Sequence, residues 1–396
     1  MRAGWVPTAV TAGVLFVLAC SVTSGGLFSH SRPGDTNRYS QIGRALVHHG
    51  QIPYRDFYDE YPPGSVPVFA LPVLIWDAHY VLVFKLLMTA CGIGFVFCST
   101  WIMHRLRLSY WRLTPLIAGP PLMGSVFLNR YDPLPAFTCV LALVALLRSR
   151  ERLTGALLGI GAALKIYPAL ALTLVLRRQR RPAGAPAAFV IAVAVLCLPF
   201  FALAPGGVGY SLETQLRRHL QIESLGSSIL LACSKLGIHH VGWIIGKPGS
   251  IDLGGGLADF VGTLSSVVAA GLVLLVARAY WRGSDSDARL VTAWAAAVVG
   301  FTVFSKVLSP QYLTWLLPLV PLAAGRRGLY AIGTFLVALA LTQPERFLGD
   351  HGFRDQNWTV WLLLFRNALL VATFVLLYVS LRPQATLNES GTAPAL

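Results

Sequence analysis

Apolar residues fill this chain in long runs, and polar residues gather in the short segments between them. A hydrocarbon core takes about 20 apolar residues per helix, fewer where a helix stops inside a bundle. On that measure twelve membrane spans are expected, near residues 9–28, 62–76, 79–104, 113–128, 131–147, 153–176, 186–205, 257–281, 288–306, 310–324, 328–343 and 358–380. The expected fold class is all-α, a polytopic transmembrane helical bundle, with residues 1–382 as one integral-membrane domain. Residues 383–396 are polar and are expected to form a disordered cytoplasmic tail.

Two polar stretches interrupt the pattern and are expected as loops on the outer side, at 29–61 and 206–256. Residues 36–49 of the first predict an amphipathic helix, and Pro62-Pro63 suits the start of the second span, where first-turn N–H groups have no partner in any case. The second begins at the helix-breaking Pro205-Gly206-Gly207. Leu212, Leu216, Leu220 and Ile222 then recur at roughly helical spacing with charged residues between them, which predicts a helix lying on the membrane surface. Gly254 to Gly256 make a flexible joint into the next span. No internal repeat is visible, and this weakens a transporter reading, since inverted repeats underlie many transporter folds.

Arginines set the orientation. Arg177, Arg178, Arg180 and Arg181 after the sixth span, Arg326 and Arg327 after the tenth, and Arg382 after the last mark the cytoplasmic side and place both termini there. Residues 105–112 and 148–152 are also rich in arginine, yet fall on the outer side in this arrangement. The alternative is a break at Lys165-Ile166-Tyr167-Pro168 that makes the segment re-entrant and reverses the local topology. The N-terminal stretch reads as a signal anchor, with a lipoprotein cleavage site at Leu18-Ala19-Cys20 as its rival, and both put the first loop outside.

Composition agrees: 55% of residues are hydrophobic and 12% charged, proportions of a chain that lives in lipid, and a plasma membrane is the expected location. The net charge of +15 is spread through short inter-span segments, which suits lipid headgroups and excludes the contiguous basic face that nucleic acid requires. Few of the basic residues are lysine, which points to a GC-rich bacterial genome. Five of the six cysteines lie inside apolar runs, so neither a disulfide framework nor a Cys-x-x-Cys metal pattern is present.

Several polar residues carry candidate chemistry. Asp35 has two readings, a helix N-cap and a general base at the water edge of the bilayer. In YRDFYDEYPP, tyrosines alternate with Arg55, Asp56, Asp59 and Glu60; the aromatics suit sugar stacking or interfacial anchoring, and the acids suit sugar hydroxyls or a pair with Arg55. Lys165 lies deep in an apolar run, where a cation needs water, a carboxylate or a phosphate. Lys306 lies nearer an interface, where snorkelling is easier. Arg217, Arg218 and His219 suit a phosphate clamp or a surface that faces headgroups. Arg130, Tyr131 and Asp132, in the turn LNRYDPLP, read equally as a buried ion pair with helix punctuation.

The blocks PYRDFYDEYPPG, NRYDPLPA, GALLGIGAALKIYPAL, RRHLQIES and KVLSPQYLTWLLPL, in this order, resemble the GT-C polytopic glycosyltransferases. More narrowly they resemble glycosyltransferase family 87, which includes actinobacterial α-mannosyltransferases that use polyprenyl-phosphate-mannose. The chain departs from the phosphatidylinositol-mannoside members, which carry a histidine pair near a Ser-Pro block where Ser309-Pro310-Gln311-Tyr312 stands here. The donor sugar and acceptor therefore stay open.

The resemblance implies an extracytoplasmic active site with a first-loop aspartate as base, the position that Asp35 occupies. The donor is expected to be a polyprenyl-phospho-sugar, most readily mannose, and the acceptor a lipid or glycan. Lys165 with Arg217 or Arg218 is expected to face the phosphate. Arg38, Asp56, Tyr58, Glu60, Asp132, His219, Lys306 and Tyr312 complete the expected substrate-binding set. No cofactor is expected; a divalent ion in the acidic first loop is the alternative. The competing function is a polyprenyl-lipid carrier or flippase without transfer.

Overall fold

Helix dominates because backbone away from water must satisfy its own N–H and C=O groups. The computed structural model of the protein describes residues 4–23, 34–179, 183–245, 251–355 and 357–382. In chain order the helices of the first half are α1 (Trp5–Thr23), α2 (Gly34–His49), α3 (Val66–Trp76), α4 (Tyr80–Arg105), α5 (Thr114–Met123), α6 (Ser125–Asn129), α7 (Pro133–Leu147), α8 (Glu151–Leu164), α9 (Leu172–Arg178) and α10 (Gly184–Leu203). There follow α11 (Pro205–Leu216), β1 (Leu220–Gln221), α12 (Leu225–Lys235), β2 (Gly242–Ile245), β3 (Ile251–Gly254), α13 (Gly256–Arg282), α14 (Asp287–Phe304), α15 (Leu313–Leu316), α16 (Gly325–Asp355) and α17 (Asn357–Val379). Among the described residues, six helical stretches are long and apolar enough to cross a membrane: Trp5–Thr23, Pro63–Arg105, Gly184–Leu203, Gly256–Arg282, Asp287–Phe304 and Trp358–Val379. The expected tail at 383–396, and Arg180 and Arg181, lie outside the described residues.

The bundle has two chemically distinct ends. At one, Arg105 pairs with Asp287 at 2.7 Å, Arg178 with Asp285 at 2.8 Å and Asp287 at 2.6 Å, and Arg112 donates to the Ala323 carbonyl at 2.6 Å. The Arg148 guanidinium lies 4.5 Å over the Trp101 ring, one turn from Arg105, and so belongs to the same end. This arginine-rich end corrects the expected placement of 105–112 and 148–152, which lie beside Arg177, Arg178 and Arg327 rather than opposite them.

Two departures from the expected spans account for the correction. The run at 62–76 does not form a crossing of its own: α3 folds back along α2, with Arg44 2.7 Å and His48 3.2 Å from Asp77 and Gly43 against the Phe69 carbonyl. Only α4 then descends to the arginine-rich end. The run at 153–176 is two limbs rather than one. α8 stops at Leu164, Lys165 is extended (φ −153°, ψ 135°), and a 3-10 turn at Tyr167–Ala171 leads into α9, which returns to Arg178. Pro168 cannot donate to the preceding turn, so the break falls here. One crossing is lost and one gained, which flips everything between them. Parallel packing of α8 on α10 agrees, since Gly155 abuts Ala185 and Gly159 abuts Phe189; these small residues let the backbones approach closely.

Two further runs are interrupted. The one at 113–128 divides into α5 and α6 at Gly124, whose φ of +62° suits a residue without a side chain. The run at 310–324 is not a continuous helix but 3-10 turns flanking the four-residue α15, because Pro310, Pro318 and Pro321 remove backbone donors. Irregular backbone is tolerated there because Leu313 to Leu317 are buried in protein.

A small antiparallel sheet, β1-β3-β2, covers the other end of the bundle, with Leu220 opposite Leu253 and Trp243 opposite the same residue. It replaces the second half of the surface helix expected around 212–222. α11 ends at Leu216, and Leu220, within β1, and Ile222 are buried in one cluster with Leu253 of β3 and Ala258 of α13 instead of resting on lipid. Gly255, with φ +106°, forms the expected joint into α13.

Candidate active site

The loop end opposite the arginine cluster gathers the polar side chains. In the first turn of α2 Asp35 forms an ion pair with Arg130, where a negative charge also suits the helix N-terminus. The Thr36 hydroxyl donates to the Asn129 carbonyl at 2.9 Å and fixes the same contact. One turn on, Arg38 Nε lies 4.0 Å from Glu60, and Tyr39 stacks on Phe69 with ring centroids 4.2 Å apart. Tyr61 and Tyr131 meet the Tyr39 ring edge to face, so α2 is pinned by an aromatic cluster that holds its polar face in register.

The turn Arg130-Tyr131-Asp132 joins the parts. Arg130 reaches Asp35, the Tyr131 hydroxyl donates to the Leu164 carbonyl at 3.2 Å, and Asp132 accepts from Lys165 Nζ at 3.1 Å and Trp315 Nε1 at 2.7 Å. Tyr131 thus satisfies a carbonyl left open where α8 ends. The Lys165 ammonium also lies 4.9 Å from the Tyr131 ring centroid, 5.0 Å from Tyr312 and 5.5 Å from Trp315. Tyr312 and Tyr167 stack on opposite sides of this arrangement, each 4.1 Å from Trp315. A cation in an aromatic box with one carboxylate is strongly held yet keeps an accessible edge.

Residues 52–61 divide between scaffold and site. Asp56 is bound by Arg55 at 2.8 Å and by the Ile52 N–H at 2.7 Å; the Arg55 hydrogen bond holds its carboxyl down to about 2, and it closes a turn rather than joining the cluster. Tyr58 packs edge to face on Tyr210, toward the outside. Asp59 is fully buried, accepts from the Tyr61 N–H at 3.1 Å, and has its carboxyl pushed up to about 7 by burial. Glu60 turns the other way. Burial raises its carboxyl, opposed by Arg38, Arg218 and Lys165.

From the second loop, the charge of Arg218 acts on Glu60 and Lys306, while Lys306 Nζ donates to the Leu216 carbonyl at 2.6 Å and its ammonium is pushed down by burial and by Arg218. Arg217 instead makes an exposed pair with Glu213, and His219 pairs with Asp259 at 3.1 Å; neither reaches the cluster. Gln221 ties the loop in place. Its amide donates to Glu223 and accepts from the Leu308 N–H, both at 3.0 Å. The fold therefore brings together Arg38, Glu60, Asp132, Lys165, Arg218, Lys306 and Tyr312, with Asp35 alongside through Arg130. It leaves Asp56, Tyr58, Arg217 and His219 at the margin.

The model of glycosyltransferase family 87 matches residues 60–310, well over half of the chain. The chain belongs to glycosyltransferase family 87. No curated protein matches it. As a family 87 glycosyltransferase it is a membrane enzyme that acts on a sugar donor and an acceptor. The match covers Glu60, Asp132, Lys165, Arg218 and Lys306 and begins after Asp35. Sequence reasoning missed Trp315 and Gln221, and it read Arg130 and Tyr131 only as part of a buried ion pair with helix punctuation. For the turn a signal existed, since three polar residues between two apolar runs need internal partners. Nothing local marked Trp315, whose role depends on a residue far away in the chain.

Proposed function

We propose that this enzyme transfers a sugar, with mannose the first candidate, from a polyprenyl-phosphate donor to a lipid or glycan acceptor on the extracytoplasmic face of a plasma membrane. The observation that carries the reading is the turn 130–132, which holds Asp35 on one flank and Lys165 on the other. The positive-inside bias assigns the arginine-rich end to the cytoplasm, which leaves the cluster outside.

In this scheme the acceptor hydroxyl gives its proton to the Asp35 carboxylate as its oxygen bonds to the anomeric carbon from the face opposite the phosphate. The bond from that carbon to the phosphate oxygen breaks, and the electron pair leaves with polyprenyl phosphate. One base suffices, because the leaving group departs as an anion and needs no proton, whereas a glycosidase needs two carboxylates. Lys165, Arg218 and Lys306 stabilise the charge that develops on the phosphate. Glu60, Arg38 and Tyr312 orient the sugar. These three cations make the scheme independent of metal; unchanged transfer in a strong chelator is the expected result.

Labelled-sugar transfer from a panel of polyprenyl-phospho-sugars, including mannose and arabinofuranose, compared between the wild type and Asp35→Asn, tests the reading. Transfer from one donor that collapses in a folded, inserted Asp35→Asn variant supports it. Persistence in the variant removes Asp35 as the base, and movement of labelled lipid without transfer from any donor favours a carrier.

A further inference from the structure

At the arginine-rich end, the turn between α7 and α8 opens into a cavity of about 740 Å³ that the proposed chemistry does not use. Its inner wall is apolar, with Leu141 and Val144 of α7. Its mouth carries Arg148, Arg150 and Arg152 beside Glu151. Five other arginines of this end are committed to protein groups: Arg105 and Arg178 to carboxylates, Arg112, Arg177 and Arg289 to carbonyls. The three at the mouth are exposed, and among the described residues Arg148 leans on the Trp101 ring. The amino terminus of α8 opens onto the same space and adds backbone donors.

We propose that this cavity binds one anionic phospholipid of the surrounding leaflet, its phosphodiester on the three guanidinium groups and an acyl chain along Leu141 and Val144. A guanidinium fork matches phosphate oxygens, and basic pockets between membrane helices suit anionic headgroups. The apolar wall selects the lipid over a free phosphate, which would use the mouth alone. The site is separate from the sugar-transfer cluster at the opposite end and does not depend on how that cluster works.

The test uses the full chain in phosphatidylcholine nanodiscs titrated with phosphatidylglycerol, with retained lipid counted by native mass spectrometry. The cavity variant is Arg148→Gln/Arg150→Gln/Arg152→Gln. A control, Arg278→Gln/Arg282→Gln/Arg326→Gln, removes the same charge from the same end outside the cavity. The expected result is one phosphatidylglycerol held by the wild type and the control, bound roughly tenfold or more weakly by the cavity variant, with inorganic phosphate a poor competitor. Equal loss in both triple variants overturns the site in favour of general surface attraction. Displacement by inorganic phosphate overturns it in favour of a free-anion site. Leu141→Trp keeps every arginine and narrows the apolar wall; it too is expected to lower retention, and unchanged retention overturns the acyl-chain placement.

Discussion

The Lys165 ammonium lies 3.1 Å from the carboxylate of Asp132, a side chain only 1% exposed. Removing one member of a buried pair leaves the other uncompensated, which costs about 3–5 kcal/mol, whereas replacing both with apolar groups can be nearly neutral. Lys165→Met is therefore expected to destabilise the protein by about 3 kcal/mol. Lys165→Met/Asp132→Leu recovers most of that, short of about 1–2 kcal/mol for the stranded Trp315 N–H. Neither variant is expected to transfer sugar. Thermal unfolding and transfer assays read the two effects separately, and wild-type transfer by Lys165→Met would sink the phosphate role.

Asp35→Asn preserves the shape of the side chain and its contact with Arg130 but cannot take a proton. The expected loss of kcat is about 10²- to 10⁴-fold, the usual contribution of general base catalysis, with little change in thermal stability. A drop of less than tenfold places the base elsewhere.

Asp59 sets a pH dependence of stability. Burial raises its carboxyl from an ordinary value of 3.8 to about 7 in the folded protein. The folded state therefore holds this proton more tightly than the unfolded chain does. Its contribution is complete below about pH 4 and fades as pH rises through about 7, on the order of a few kcal/mol. Asp59→Asn should flatten that decline and melt higher than wild type at pH 8. Parallel pH profiles of melting temperature in the two proteins would rule this out.

Gln221 is buried, and its amide bridges Glu223 to the Leu308 backbone. Gln221→Leu strands the Leu308 N–H and is expected to cost about 1–3 kcal/mol. It also frees the loop that carries Arg218 relative to Lys306, so transfer should fall further than stability alone explains. The check is kcat and KM at a temperature where the variant remains folded; wild-type kinetics there would show that the tether has no part in catalysis.

Apolar run length by itself determined that this is a helical membrane protein, where its strongest spans lie, and which two stretches are polar. Lipid imposes those features locally, residue by residue, because a long apolar segment has one stable solution. The order of motif blocks likewise carried family 87, and the cost of a charge in hydrocarbon singled out Lys165. Run length could not determine direction. Whether 62–76 crosses or folds back on α2, and whether 153–176 is one limb or two, depended on which surfaces pack, and Asp77 with Arg44 and Tyr131 with Leu164 decided it.

The same limit applied to the site. Helical spacing placed Leu220 and Ile222 on a surface helix, but burial under a strand more than thirty residues away was the better use of those side chains. Arg217, Arg218 and His219 are neighbours in sequence, yet Arg218 acts on Glu60 while Arg217 pairs with Glu213 and His219 with Asp259, because the chain leaves helical geometry after Leu216. Asp132 meets Lys165 and Trp315 from three separate segments. Only tertiary structure could bring them together, since a buried charge takes its partner from whatever packs against it, at any distance along the chain.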